Sequence, residues 1–131
     1  MGDHPNADLA RRGYKAFGEA DMEALTELIA EDAVWHVGGN NVVSGDYKGR
    51  EAVFGLFGKL GELSEGTMSI ELHDVLANDE HTVVLAGITA GGSRGNLAIN
   101  SADTMHISNG QLKEFWTFSS DEAAWDAYFG N

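Results

Sequence analysis

A carboxylate near the end of this 131-residue chain occupies a position where the sequence pattern favours an apolar side chain. Between residues 97 and 107, alternate side chains are mostly apolar, and Asp103 belongs to that set. Such alternation is typical of a strand with one buried face. A carboxylate on a buried face must be paired, accept hydrogen bonds, or stay neutral with a raised pKa. Asp103 is therefore the leading candidate for a functional group.

The alternative for Asp103 is a structural role. Ser101 belongs to the same alternating set, so the predicted inner face is not purely apolar. A carboxylate there could simply accept a hydrogen bond from a backbone amide or a buried water. The pattern alone leaves both interpretations open.

Other residue types in the sequence predict no second catalytic centre. The chain has no cysteine, which excludes disulfides, thiol nucleophiles and thiolate metal sites. Its five histidines show no tight ligand spacing, so no metal is expected. There is no Ser-His-Asp order or nucleophile elbow, and the glycine-containing loop at residues 38–41 lacks the phosphate-binding pattern.

Composition predicts one domain over residues 1–131 and argues against polyanionic partners. Eight lysines and arginines against 21 acidic residues give a net charge of −13. Phosphate contacts need clustered cations, so we expect neither nucleic acid nor an anionic membrane as a partner. No apolar run approaches the length of a membrane span. The first six residues lack the basic and apolar parts of a secretory signal, and we expect a cytoplasmic protein.

The elements that must position Asp103 fall into two halves. The first half contains three predicted helices and a short strand at residues 33–37. Asn6 caps the first helix, Asp21 caps the second, and the third begins near Arg50. The second half contains predicted strands at residues 67–77, 81–91, 97–107 and 111–119. An Asn109-Gly110 turn joins the last two strands, and Ser119 with Glu122 is spaced as a capping box for a closing helix. Helices followed by a meander of strands predict an α+β fold.

Five sequence motifs occur in order along nearly the whole chain, at residues 14–17, 20–25, 30–37, 45–53 and 102–116. Together they resemble the SnoaL-like branch of the NTF2/ketosteroid-isomerase superfamily. The resemblance implies an NTF2-like cone, in which a curved antiparallel sheet wraps around N-terminal helices and leaves an apolar pocket between them. This fold hosts isomerases, cyclases, dehydratases, epoxide hydrolases and binding proteins, so it does not by itself assign a function.

The resemblance also implies roles for particular residues. The family position that matches Asp103 points into the pocket and serves as an acid, a base or a hydrogen-bond donor. Tyr14 matches a helix-1 tyrosine that supplies a second hydrogen bond. Val37 stands where the ketosteroid isomerases carry their base aspartate, so isomerisation of Δ5-3-ketosteroids by that route is not expected.

Several apolar and aromatic side chains are predicted to line the pocket. The predicted set is Phe17, Trp35, Val37, Tyr47, Phe57, Met105, Phe115 and Trp116. On the last strand, Phe115 with Thr117 competes with Trp116 and Phe118 for the inner face, and a bulge would exchange them. A plain aromatic core is the alternative for these residues, and helical spacing favours it for Phe57.

The resulting hypothesis is a cofactor-independent isomerase, cyclase or dehydratase that moves a proton next to a carbonyl. The predicted ligand is small and apolar or aromatic, polyketide-like in character. The alternative is a non-catalytic binding module, because proton shuttling usually needs both a donor and an acceptor. Family habit also implies a homodimer through the sheet. Its predicted outward residues are Val34, His36, His73, Val75 and His106.

Overall fold

The computed structural model describes residues 4–130. Residues 1–3 and 131, which the predicted single domain includes, lie outside the described residues. The described chain forms α1 (Pro5–Glu19), α2 (Met22–Leu28), β1 (Ile29–Val37), β2 (Gly45–Lys48), α3 (Arg50–Leu63), β3 (Ser69–Ala77), β4 (His81–Ala90), β5 (Leu97–Ser108), β6 (Gln111–Ser119) and α4 (Glu122–Phe129). None of the helices described is long and apolar enough to cross a membrane. The predicted α+β class is confirmed.

The six strands form one curved, unclosed sheet in the order β2-β1-β6-β5-β4-β3. All neighbouring strands are antiparallel except β1 and β6, which run parallel. The sheet is therefore mixed rather than wholly antiparallel as expected. Helix α1 lies against β3 and β4, and α3 lies against β1. The core fills the space between these helices and the concave face of the sheet.

Local sequence explains where the first two helices begin. Helix α1 starts at Pro5, whose fixed φ and missing N–H suit the first helical position. The imidazole of His4 accepts the backbone N–H of Asn6 at 3.0 Å, so the prediction that Asn6 is the cap is wrong. Asp21 caps α2 as predicted, by accepting the backbone N–H of Ala24.

The closing helix α4 is capped by a different residue from the predicted one. The Asp121 carboxylate accepts the backbone N–H of Ala124 at 3.0 Å. The Ser119 hydroxyl lies two residues too early and accepts the backbone N–H of Asp121 instead. The predicted capping box of Ser119 and Glu122 is therefore wrong. Helix α4 still buries Trp125 against the core, as its predicted apolar face requires.

The β5–β6 hairpin follows the predicted pattern at its turn. Asn109 and Gly110 have φ of 54° and 74°, the left-handed geometry that a two-residue type I′ turn requires. Burial alternates along β5, and Asp103 on its inner face is only 3% exposed. The predicted half-buried strand is confirmed.

A bulge in β3 changes which side chains face the core. The pairing of β3 with β4 shifts register between Leu72 and Asp74. As a result, Leu72 and Val75 both pack against the core, although they are an odd number of residues apart. The prediction that Val75 lies on the outward face is therefore wrong. His73 is exposed within the bulge.

Candidate functional site

An apolar cavity of about 110 Å³ lies between the concave face of the sheet and the helices. Only three of its lining side chains carry an oxygen atom: Tyr14, Asp103 and Thr117. The rest of the lining is glycine, aliphatic, thioether or aromatic. Besides these oxygen atoms, the side chains that line the cavity include two indole N–H groups, those of Trp35 and Trp125.

The strands β5 and β6 place Asp103 and Thr117 side by side. The two residues are direct partners in the antiparallel pairing. A bulge makes Lys113 an extra residue in β6, because His106 pairs with Glu114 whereas Ile107 pairs with Leu112. Beyond the bulge, the inner face of β6 carries Thr117 and the preceding cavity-lining aromatic residue, Phe115. Sequence reasoning weighed this arrangement but did not assign a role to Thr117.

The three oxygen-bearing side chains of the cavity form one hydrogen-bonded unit. The Tyr14 hydroxyl donates to Oδ2 of Asp103. The Thr117 hydroxyl donates to Oδ1 of Asp103 at 2.6 Å. Helix α1 supplies the first donor and β6 the second, so the carboxyl group is held from both layers of the fold.

Burial is the largest influence on the ionisation of Asp103. It raises the pKa of Asp103 above the ordinary value of 3.8, because removal from water penalises the charged form. The hydroxyls of Thr117, Tyr14 and Ser101 act in the opposite direction, since hydrogen bonding to the carboxylate favours its charged form. Their effect is smaller, and the net pKa of Asp103 stays raised.

Tyr14 remains protonated over any ordinary pH range. Burial raises its pKa well above 10.0, and the neighbouring charge and hydrogen bond of Asp103 raise it further. The hydroxyl is therefore a hydrogen-bond donor to Asp103 and not a base. The resemblance implied that these two residues act together, and the structure brings them into contact.

Four aromatic side chains form a continuous wall of the cavity. Trp35 stacks on Phe115, with ring centroids 4.5 Å apart and planes 13° from parallel. Phe57 meets the edges of Trp35 at 5.6 Å and of Phe17 at 5.1 Å. All four residues are in the predicted pocket set, and all four line the cavity. Val37 and Met105 line it as well.

Two members of the predicted pocket set lie outside the cavity. Tyr47 on β2 donates its hydroxyl to the backbone carbonyl of Val43 at 2.7 Å and does not line the cavity. Trp116 lies on the outer face of the sheet, where it stacks on His36 at 5.2 Å. The β6 bulge explains the position of Trp116, since it turns Phe115 inward instead.

A groove of about 370 Å³ adjoins the cavity where β1 stops pairing with β6. Four residues line both spaces: Val37, Ile88, Thr117 and Trp125. The groove is more polar than the cavity, and its lining includes Ser101, Trp116 and two carboxylates, Asp46 and Glu122. The groove is therefore next to the cavity that contains Asp103.

His36 forms an ion-pair cluster on the outer face of the sheet. Its Nδ1 lies 2.7 Å from the carboxylate of Asp46, and its Nε2 lies 2.6 Å from that of Glu114. Burial alone lowers the pKa of His36, but these hydrogen bonds and charges outweigh it and leave the pKa raised. Among the described residues, no group of three or more histidine, aspartate or glutamate side chains has an arrangement that could hold a metal ion.

The family follows from comparison with known proteins. The SnoaL-like domain model matches residues 10–115. The chain belongs to the SnoaL-like domain family. Over 130 residues it is 28% identical to the uncharacterised protein Rv0034 of Mycobacterium tuberculosis, with 98% of this chain and 99% of that protein covered.

Solved structures agree with this assignment. Bal32a, from a soil-derived mobile gene cassette, is 35% identical to this SnoaL-like chain, with a TM-score of 0.92 and coverage of 96% and 97% of the two chains. TerC, which was co-crystallised with polyporic acid, is 15% identical with a TM-score of 0.84 and coverage of 96% and 98%. At that identity, TerC shows a shared fold alone.

Proposed function

We propose that this single SnoaL-like domain binds a small, mainly apolar carbonyl compound in its cavity and transfers a proton next to the carbonyl, without a cofactor. One observation carries the proposal. The three oxygen-bearing side chains of the cavity lining converge on a single carboxyl group, Asp103. A titratable group with a raised pKa in an apolar pocket is the usual form of an enzymatic acid or base.

The chemistry assigns each of the three residues one task. The Asp103 carboxylate removes a proton from the carbon next to the carbonyl, and the ligand becomes an enolate. The carboxylic acid so formed then returns the proton to the same or another carbon. Tyr14 and Thr117 hold the carboxyl group in one orientation through their hydrogen bonds.

The size of the cavity limits what enters it. Pockets for drug-sized ligands are roughly 300–1,000 Å³, whereas an apolar cavity of about 150 Å³ can hold benzene. The cavity, at about 110 Å³, therefore suits one small ring or a short chain. A larger, polyketide-like ligand would extend into the groove. The co-crystallisation of TerC with polyporic acid supports a small-molecule ligand in this fold.

Hydrogen–deuterium exchange of a small enone tests the proposal. We expect the wild-type protein in D₂O to accelerate exchange of the protons next to the carbonyl of cyclohex-2-en-1-one, followed by NMR. Asp103→Asn is nearly isosteric but has no ionisable group, and it should slow this exchange by about 10²-fold or more. Asp74→Asn removes an exposed carboxylate from β3 and is the matched control, expected to behave as wild type. Equal exchange by Asp103→Asn and wild type would refute the proposed role of Asp103.

A binding module is the second candidate function. Tyr14 and Thr117 both donate their hydroxyl protons to Asp103, so neither has a proton left for a ligand. The cavity lining then offers no acid separate from Asp103. If this candidate is correct, cyclohex-2-en-1-one will shift protein NMR signals of the cavity without any exchange of its own protons.

We also propose that the protein is a cytoplasmic homodimer that associates through the outer face of the sheet. Phe118 is 58% exposed on β6 with the partly exposed Trp116 on the same strand face, and Leu76 is 52% exposed on β3, three strands away. Exposed apolar side chains of this kind are typical of an association surface. The lack of cysteine is compatible with a reducing compartment.

A further inference from the structure

The cavity-facing side of α1 has no side chain at its middle position. Five residues of α1 line the cavity: Leu9, Ala10, Gly13, Tyr14 and Phe17. Residues four apart lie on the same side of a helix, so Leu9 and Phe17 flank Gly13 one turn to either side. The helical wall of the cavity therefore has a gap at Gly13, between two large apolar side chains.

The backbone conformation does not explain why residue 13 is glycine. Gly13 is not among the glycines with positive φ, so its conformation is open to any residue. It lies in the interior of the 15-residue helix α1, where glycine destabilises a helix relative to alanine. The helix itself would be more stable with alanine at this position.

Close packing does not explain the glycine either. A Cβ added to Gly13 would have no heavy atom of a packed neighbour within 4 Å. By contrast, a Cβ added to Gly92 would lie 2.5 Å from Oε2 of Glu65. The close approach that excludes a side chain at Gly92 is absent at Gly13. The gap at Gly13 is therefore open space, and Gly13 itself lines the cavity.

We propose that Gly13 determines the size of the ligand, because the gap receives an apolar part of it. Tyr14 follows Gly13 directly and donates to Asp103, so the gap adjoins a residue that holds the proposed base. Leu9 and Phe17 on either side offer only hydrocarbon, which favours ring methylenes or an alkyl branch over a polar group. The ligand is then a cyclic or branched carbonyl compound with a hydrocarbon edge that packs on the backbone of α1. This inference rests on the proposed function, since it concerns the ligand of the same cavity.

Two cyclic enones that differ by one methylene group measure the size of the available space. Cyclopent-2-en-1-one and cyclohex-2-en-1-one carry the same carbonyl group and the same double bond. Burial of the additional methylene should make wild type bind cyclohex-2-en-1-one about fourfold more tightly. We would measure the Kd of both enones by NMR titration for wild type and two variants.

Gly13→Ala and Gly58→Ala form a matched pair of variants. Gly58 lies in the interior of α3, is exposed, has nothing within 4 Å of an added Cβ, and does not line the cavity. Both substitutions should raise the Tm by about 2–6 °C, because alanine is the better helix former. Only Gly13→Ala should abolish the fourfold preference for cyclohex-2-en-1-one, since its methyl group occupies the gap. Gly58→Ala should keep the preference of wild type.

The outcomes distinguish this proposal from the proposed function. Equal Kd values of wild type for the two enones, an unchanged preference in Gly13→Ala, or an equal loss of preference in Gly58→Ala would overturn the role of Gly13. A lower Tm of Gly13→Ala would also overturn it, by showing that the fold requires glycine there. If the binding results are as expected but wild type exchanges no enone proton, the proposed function is wrong and the role of Gly13 stands. If wild type binds neither enone at millimolar concentration, both proposals are wrong.

Discussion

At the scale of single residues, Asp103 is subject to two opposing influences. Burial among apolar side chains penalises its charge, and hydrogen bonds from Tyr14 and Thr117 favour it. The penalty is the larger influence, so the folded protein binds a proton at Asp103 more tightly than the unfolded chain does. The raised pKa makes the Asp103 carboxylate a stronger base than an exposed carboxylate.

The pH dependence of the free energy of unfolding should reveal the raised pKa of Asp103. Because the folded-state pKa of Asp103 is raised, the folded state takes up the proton first as the pH falls toward 3.8. The wild type should therefore gain stability relative to Asp103→Asn as the pH falls through the folded-state pKa, and lose it again as the pH rises. Denaturant unfolding of both proteins at a series of pH values measures this difference.

At neutral pH the same variant tests the structural interpretation. Asp103→Asn removes the buried charge but also disrupts one accepted hydrogen bond, worth about 1 kcal/mol. We expect its free energy of unfolding to rise or to stay within about 1 kcal/mol of wild type. A loss of several kcal/mol, with ligand binding unchanged, would instead identify Asp103 as a structural hydrogen-bond acceptor.

Sequence reasoning reached some of these residues and missed others for a physical reason. Period-two alternation placed Asp103 on an inner face, and the family resemblance paired it with Tyr14. Thr117 was not assigned because its position depends on the register of β6. Ser101 was noticed only as a break in an apolar pattern, since its influence on the pKa of Asp103 follows from three-dimensional packing.

At the scale of elements, bulges in β3 and β6 decide which side chains face the core, and the bulge in β6 decides which of them reach the site. A regular hairpin closed by Ser108 and Gln111 would place Trp116 opposite Asp103. The extra residue Lys113 in β6 places Thr117 there instead. Neither bulge is marked by a glycine or a turn motif in the sequence, so the exact register was not predictable. Turns with strong backbone requirements, such as Asn109-Gly110, were predictable.

His36 connects three strands and should make stability depend on pH. It lies on β1, and its imidazole contacts Asp46 on β2 and Glu114 on β6. The folded-state pKa of His36 is raised above 6.5, so its contribution is complete below about pH 6.5 and is lost as the pH rises through the folded-state pKa. We expect a loss of about 0.5–1 kcal/mol, because Asp46 is largely exposed.

His36→Gln and His73→Gln provide the test of this element. The pH-dependent loss of stability between about pH 6 and 8 should disappear in His36→Gln. It should persist in His73→Gln, because His73 lies exposed on β3 and contacts neither carboxylate of the cluster. Persistence of the full loss in His36→Gln would show that the cluster does not stabilise the fold.

At the scale of the whole molecule, the cone depends on a contact between distant parts of the chain. β1 runs parallel to β6, and this pairing joins the helical half to the strand half. Local patterns predicted both strands but not their parallel pairing, because they carry no information about distant partners. The cone itself was predicted from the family resemblance.

The outer face of the sheet makes a prediction about assembly. We expect wild type to sediment as a dimer of 14.0 kDa chains at low micromolar concentration. Leu85 lies partly exposed on the outer face of β4, and Leu85→Glu should produce monomers by placing a charge in the association surface. Met22→Glu changes a 44% exposed residue on α2 and should remain dimeric. A wild-type monomer under these conditions would contradict the proposed dimer.

The pH dependence of enone exchange tests the central claim most directly, namely that the Asp103 carboxylate removes a proton in the cavity. The measurement is the rate at which wild type exchanges the protons next to the carbonyl of cyclohex-2-en-1-one between about pH 4 and 8. The rate should rise as Asp103 ionises, with a midpoint above 3.8, and then reach a plateau. A midpoint at or below 3.8, or no protein-dependent exchange at any pH, would contradict the claim.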